Sequence, residues 1–464
     1  MIASRHKLVF ACGFAVVAGV SAAAWGGRGG IVVAALLAFT AAVVFPHGTL
    51  PVVLVLGLVQ FGPTKAYPVL PIEFSYVDDI MVLGLFVRWF LETTRERKPV
   101  PLGLALPLGL LAVVATVSAF ANGRPASQVL LAARGLLLPM ALCLVAVRAG
   151  SEAASRALLL RIVKIVVVAQ AVLAMVQWLA RPWHVDGAFG LLGPGGANAL
   201  GYLFVIVACL EIPTLGRRRV AEWAALTALV AGTVVAAARG AMAVLVPAVA
   251  AASRAVRRAR MAGAVAILAG VLVASVTAYY AASGRDIGID LAPSSLIRAQ
   301  GISEQGGRML YVALLPAVLN GTPGGWVYGV GPGGFTSYVG MNARTALLVR
   351  TAPRSADSQT GLGNADSEWV AVLAEYGIAG VLCVLALMLR PALVTWKRTR
   401  TAEGEASDAL SNAMPAIVIV TVFAAASLNV LEYQPLSYVF WVLAGLAETV
   451  VVADAREGAP QWKA

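Results

Sequence analysis

Apolar runs long enough to cross a bilayer recur from one end of this 464-residue chain to the other, and that recurrence fixes what it can fold into. A run of roughly 18 or more apolar residues is a membrane-helix signal. Hydrocarbon offers peptide groups no hydrogen-bond partner, so each run must satisfy its own backbone as a helix. The expected fold is all-α: a polytopic integral membrane protein with about 12–14 transmembrane helices. Spans are read near 7–25, 31–46, 49–64, 77–92, 102–121, 127–147, 158–180, 197–215, 221–238, 240–253, 261–282, 366–389, 413–430 and 435–453. Those at 31–46, 49–64 and 240–253 are short enough to tilt, break or re-enter. The whole of 1–464 reads as a single transmembrane domain, without a soluble domain or a repeat.

The formal charge of +12 does not point to nucleic acid, because its placement follows membrane orientation. With Arg5 and Lys7 in the cytoplasm, the basic groups around Arg95, Arg148, Arg217, Arg254 and Lys397 all fall on the same side. Both termini are then cytoplasmic, and 65–76, 122–126, 181–196 and 283–365 are extracytoplasmic. Ser4–Lys7 and the apolar stretch after it are read as an uncleaved first span rather than a signal peptide. Richness in Ala, Val, Gly and Arg fits a bacterial chain, so the expected site is the bacterial cytoplasmic (inner) membrane. The four cysteines lie in apolar spans, where they read as small core residues and not as a disulfide framework.

The segment 283–365 is too long for a bare connector, which marks it as functional. Apolar residues at helical spacing from Ser303 to Leu319 predict a short amphipathic helix there, with Arg308 near its start. A glycine-rich turn follows, Gly329-Val330-Gly331-Pro332-Gly333-Gly334-Phe335, then a polar stretch that ends where Asp366-Ser367-Glu368 opens the next span. Ionisable residues near hydrocarbon cost a few kcal/mol each and tend to serve function. Asp78, Asp79, Arg134, Arg239, Arg308 and Asp366 all fall toward the outer leaflet in this topology. The bland readings are helix caps for the aspartates and snorkelling for the arginines. Several cations and a carboxylate at one leaflet instead suggest an anionic lipid head group. The aromatics Trp183, Trp326, Tyr328, Phe335 and Tyr338 could stack on sugar rings or anchor the interface.

Four pieces in order resemble the O-antigen ligase and polymerase superfamily, the Wzy/WaaL-like membrane glycosyltransferases. They are Gly193-Pro194-Gly195-Gly196-Ala197-Asn198, Ala238-Arg239-Gly240-Ala241, Gly307-Arg308 with the glycine turn 329–335, and Asp366-Ser367-Glu368-Trp369-Val370 through Glu375-Tyr376-Gly377-Ile378-Ala379-Gly380. The resemblance covers roughly 190–380, with only hydropathy in common before that. It implies a GT-C-like fold with one large extracytoplasmic loop. It also implies transfer of a glycan from a polyprenyl-(pyro)phosphate donor to a hydroxyl of a glycan or lipid acceptor, on the outer face of the membrane. Membrane lipids surround the site, and neither nucleic acid, nucleotide, metal nor other cofactor is implied. This chain departs from the family where a histidine thought to be the general base is replaced by Asp366, and an asparagine by Ser367.

Arg239 and Arg308, with Arg134 as a third, are therefore expected to bind the donor (pyro)phosphate: a guanidinium is planar, bidentate and permanently charged. Asp366 is expected to act as the catalytic base, with His184 a distant alternative. Gly331, Gly333 and Glu368 are expected at the substrate loop, the glycines because they permit backbone forms that other residues avoid. Glu368 lies about 200° around a helix from Asp366, so both cannot enter one site. Glu375 shares the face of Glu368 and reads as an anchor. Competing readings are a transporter or lipid flippase, a peptidoglycan-type polymerase of the SEDS kind, and a non-catalytic scaffold of the same fold.

Overall fold

A computed structural model describes residues 28–59, 76–96, 100–180, 188–192, 196–213, 220–236, 239–252, 308–335, 367–401, 409–426, 428, 430–431 and 433–457. Expected spans 7–25 and 261–282, most of the loop 283–365, and the candidates Asp366 and His184 lie outside the described residues, as do the side chains of Arg239 and Arg308.

Every regular element among the described residues is helical. In chain order these are α1 (Arg28–Val44), α2 (Pro46–Val59), α3 (Val77–Arg95), α4 (Leu102–Ala121), α5 (Ala126–Ala132), α6 (Leu138–Ala149), α7 (Ala153–Ala180), α8 (Ala197–Glu211), α9 (Val220–Val235) and α10 (Arg239–Ala252). Then come α11 (Arg308–Asn320), α12 (Gly325–Tyr328), α13 (Glu368–Thr401), α14 (Ala409–Ala425) and α15 (Gln434–Glu457). Helix α1 stops at Val44 because the residue before a proline is pushed out of the helical region, while Pro46 suits the first position of α2. Within the segment expected to be helical from Ser303 to Leu319, the described residues form α11.

Four helical stretches are long and apolar enough to cross a membrane: Leu102–Ala121, Ala126–Ala149, Ala153–Ala180 and Glu368–Lys397. Six shorter apolar helices of 10–17 residues accompany them, among them Ala35–Val44, Pro46–Val59 and Gly240–Ala252 at the three expected short spans. Exposure follows the same logic. Leu102, Leu106, Leu110, Val113, Val117 and Phe120 form one outward apolar stripe on α4, spaced at the helical repeat. Ile165, Val172, Val176 and Leu179 do so on α7, and Ile378, Leu382, Leu389 and Leu393 on α13. Such stripes suit hydrocarbon and not water. By contrast α8 is buried nearly all round, as are the first turns of α15, so these are the central helices. The chain is an all-α, membrane-embedded protein.

Successive contacts fix which helix ends lie together. Gly57 near the end of α2 packs on the Tyr438 ring of α15, and Tyr438 Oη lies 3.4 Å from Asp79 at the start of α3. Gln170 of α7 donates to the Leu58 carbonyl and accepts from Leu191 N–H, while Gln177 exchanges two hydrogen bonds with Gly190. The end of α7 and the start of α8 therefore join the same end of the bundle. Helix α9 returns antiparallel to it, and only residues 237–238 separate its last turn from Arg239 at the start of α10. The opposite end holds a different set of charges. Arg88 pairs with Glu92 one turn along α3, at 2.6 Å. Arg148 lies 3.6 Å from both Glu92 and Glu96, Lys164 lies 3.0 Å from Glu211, and Arg390 pairs with Glu448.

Candidate functional site

The end bearing Asp79 carries two buried polar assemblies. The first is built around the glycine turn. Gly329 and Gly377 have φ of +77° and +65° with ψ of −170° and −168°, a region essentially reserved for glycine. A Cβ on Gly329 would overlap the Glu375 carbonyl, and one on Gly377 would overlap the Val327 carbonyl. The two backbones thus lie directly against each other. Val330 N–H donates to the Ala374 carbonyl at 2.8 Å and Gly331 N–H to the Glu375 carbonyl at 3.1 Å. Helix α13 is consequently two helical pieces joined at Gly377.

Glu375 is wholly buried, and its carboxylate accepts from Gly333 N–H at 2.7 Å and Phe335 N–H at 3.2 Å. This is the anchoring role expected of it. The end of α4 grips the same turn. Ser118 Oγ donates to the Glu375 carbonyl, Asn122 Nδ2 to the Gly329 carbonyl, and Arg124 through Nε and Nη2 to the Val330 carbonyl at 3.0 and 2.8 Å. Phe335 is fully buried among Leu315, Leu319, Val330 and Ala374. The expectation that its ring could stack on a sugar is corrected: it is the core of this satellite cluster. Trp326 stays exposed and Tyr328 half-buried; they donate to Asn320 Oδ1 and to the Pro323 carbonyl.

Glu375→Ala would strand the Gly333 and Phe335 amides in a dry interior. Losing two charge-assisted bonds should cost about 3 kcal/mol. We expect a lowered unfolding temperature for Glu375→Ala, with Glu375→Gln between it and wild type because one carbonyl oxygen remains. Equal unfolding temperatures for all three would refute the anchor.

The second assembly surrounds Arg134. Its helix contains a π-helical turn, Ala133–Leu137, in which Leu138 N–H reaches back to the Ala133 carbonyl. Pro139 explains the widened turn: it has no N–H to offer, and its ring crowds the carbonyl four residues earlier. Arg134 Nε donates to Asp79 Oδ2 at 2.6 Å, and the guanidinium carbon sits 4.3 Å from the Tyr76 ring centroid. Asp79 Oδ1 accepts from Gln434 Nε2 at 2.8 Å. Asp78 is wholly buried on the same turn, and the Tyr438 hydroxyl lies 3.4 Å from Asp79 Oδ1. Tyr76, at the N-cap of α3, makes no side-chain cap hydrogen bond, and Asp79 engages Arg134 and Gln434 rather than the helix N-terminus. The Arg134 side chain stays one-third exposed, and its Nη atoms have no partner among the described residues.

A short corner joins the two assemblies. Glu368 is 1% exposed, its Oε2 accepts from Leu431 N–H at 3.0 Å, and its own N–H donates to the Leu428 carbonyl. Three residues after Leu431, Gln434 holds Asp79. Of the sequence-predicted site residues, Arg134 is thus oriented at this end. Gly331, Gly333 and Glu368 hold the backbone that shapes it, and the Gly333 amide is spent on Glu375. Arg239 begins α10 at the same end, and Arg308 begins α11, which packs through Leu315 and Leu319 against Ala374 of α13. Ser118, Asn122, Arg124, Gln434 and Tyr76 are not apparent from the sequence. Arg124 is hidden because Asn122-Gly123-Arg124-Pro125 reads only as a tight link between spans, and nothing local signals a bond to a carbonyl two hundred residues on.

Chemically, this end offers a directed guanidinium at Arg134 and a rigid glycine turn at Gly329–Phe335. No protein-family model matches the chain, and no curated protein matches it.

Proposed function

We propose that the protein is a membrane glycosyltransferase of the O-antigen ligase or polysaccharide polymerase kind. It moves a glycan from a polyprenyl-(pyro)phosphate to an acceptor hydroxyl, at the face of the bacterial cytoplasmic membrane away from the cytoplasm. The observation that carries this reading is the Arg134 guanidinium, fixed at one end of an apolar bundle with its Nη edge unspent. An anchored, partly exposed arginine beside hydrocarbon suits a lipid-linked oxyanion.

The acceptor oxygen attacks the anomeric carbon as the bond from that carbon to the (pyro)phosphate oxygen breaks. The electron pair leaves with the lipid, and positive charge must already stand where that negative charge develops. Arg239 and Arg308, with Arg134, supply it in this reading. The acceptor proton passes to Asp366, two residues before the first residue of α13. A carboxylate of ordinary pKa near 4 is a weak base, so it takes the proton as the new bond forms. Glu368 is not the base in this reading, because its carboxylate turns inward to the Leu431 amide. Energy comes from the lipid-linked donor, and no nucleotide is needed.

A transporter of lipid-linked glycan is the second reading, favoured by the buried Asp78–Asp79–Arg134 cluster, since ionisable groups inside bundles also mark transport paths. Comparing surface glycans of a deletion strain with its parent tests the proposal. Loss of polymer length or of attachment, with donor retained on the outer leaflet, is expected. Donor accumulating on the cytoplasmic leaflet would favour transport instead.

A further inference from the structure

Asp79 has no role in transfer as set out above, yet both its carboxylate oxygens are engaged. One carboxylate oxygen takes Arg134 Nε at 2.6 Å, and the other takes Gln434 Nε2 at 2.8 Å and faces Tyr438 Oη at 3.4 Å. We propose that Asp79 is a positioning residue that aims the Nη edge of Arg134 at one oxyanion of a lipid-linked diphosphate and keeps that grip loose enough for the spent lipid to leave. The inference rests on the glycosyltransferase reading for its ligand.

A guanidinium has two bidentate edges. Asp79 occupies Nε on one, and Tyr76 covers a face of the plane. The Nη edge is left, on a side chain that is one-third exposed. The π-helical turn fixes where the side chain leaves the backbone, and such turns recur at functional sites. Orientation is therefore set from three directions.

An uncompensated guanidinium beside hydrocarbon would attract a diphosphate strongly from a distance. Tight binding of substrate and product alike does not raise turnover. Asp79 against the guanidinium, and Asp78 buried on the same turn, offset that long-range attraction. The short, directional hydrogen bonds at Nη survive the offset, because they depend on contact. The site then favours charge developing at the Nη edge over charge merely nearby, and releases the leaving group afterwards.

The sign of one substitution separates this from a purely structural ion pair. The test uses the full chain in phosphatidylcholine nanodiscs, with undecaprenyl diphosphate as probe and Kd read by thermophoresis. Removing a carboxylate that opposes the ligand should tighten binding, so D79N is expected to lower Kd about tenfold while R134Q raises it about thirtyfold. The double variant D79N/R134Q keeps an amide–amide pair for folding, and its Kd should fall below that of R134Q by clearly less than tenfold, because without Arg134 the anion is no longer held beside Asp79. With lipid-linked donor, D79N should slow turnover through product release. A Kd for D79N that is unchanged or weaker, an Asp79 effect as large without Arg134 as with it, or wild type that does not bind the probe would each overturn the proposal. Inorganic pyrophosphate binding as tightly as the lipid would overturn the lipid-linked assignment. If the binding pattern holds but no glycan moves, the transferase reading fails and the Arg134–Asp79 site stands. If glycan moves and D79N binds like wild type, this inference alone fails.

Discussion

Gly377→Ala is expected to leave little folded protein. The backbone there has φ +65° and ψ −168°, which an L side chain can adopt only at a cost of about 1–3 kcal/mol. The new methyl would also meet the Val327 carbonyl, which cannot swing aside because Gly329, two residues on, is pressed against Glu375 in turn. Separating the two backbones would break Val330 N–H to Ala374 and Gly331 N–H to Glu375, and would pull Gly333 and Phe335 from the Glu375 carboxylate. Strain and lost bonds together come to about 4–6 kcal/mol, a large share of the stability a domain has. Size exclusion in detergent should show mostly aggregate, with any residual monomer unfolding well below wild type. Gly109→Ala is the control, as its added methyl meets nothing within 4 Å on an ordinary helical backbone. A Gly377→Ala protein that is monodisperse and unfolds with wild type would show that the interlock is not what fixes the glycine turn.

Arg239→Ala and Arg308→Ala are expected to remove glycosyl transfer while leaving the protein inserted and folded. In the proposed reaction these guanidinium groups meet charge that develops only as the lipid (pyro)phosphate departs. Removing one preorganised donor of this kind costs about 10²–10³-fold in rate. Arg239→Lys should recover part of the loss, since an ammonium keeps the charge but not the bidentate fork. Asp366→Asn should slow transfer strongly at unchanged donor affinity, because the base acts on the acceptor. Rates measured on folded, reconstituted protein decide these points. Wild-type product from either alanine variant would remove that arginine from the reaction, and an unchanged Asp366→Asn rate would move the base elsewhere.

The helices were legible because membrane solvent leaves few choices. Apolar runs of spanning length must be helical, and expected spans such as 102–121, 197–215 and 435–453 fall on α4, α8 and α15. Boundaries are harder to read where proline, not hydropathy, sets them, as at Pro46. The site was legible one residue at a time. Arg134, the glycine turn and Glu375 stand out as a charge in a span, a φ-permissive run and an acid at helical register. Their partners do not, because Asp79 to Gln434, Glu368 to Leu431 and Arg124 to Val330 are long-range pairings. No local periodicity encodes such pairings. Nor does any local pattern mark Phe335 as core, since a lone aromatic after glycines looks the same whether it faces sugar or its own helix.

The central claim is that sugar changes covalent partner at this end of the bundle. Its most direct test is purified protein in proteoliposomes, with a radiolabelled glycan on undecaprenyl diphosphate and envelope extract of the deletion strain as acceptor pool. The account predicts that label moves to acceptor, that undecaprenyl diphosphate appears in equal amount, that EDTA leaves the rate unchanged, and that Arg239→Ala and Arg308→Ala stop it. Label that stays on its original lipid, whether or not it crosses the bilayer, would contradict the account.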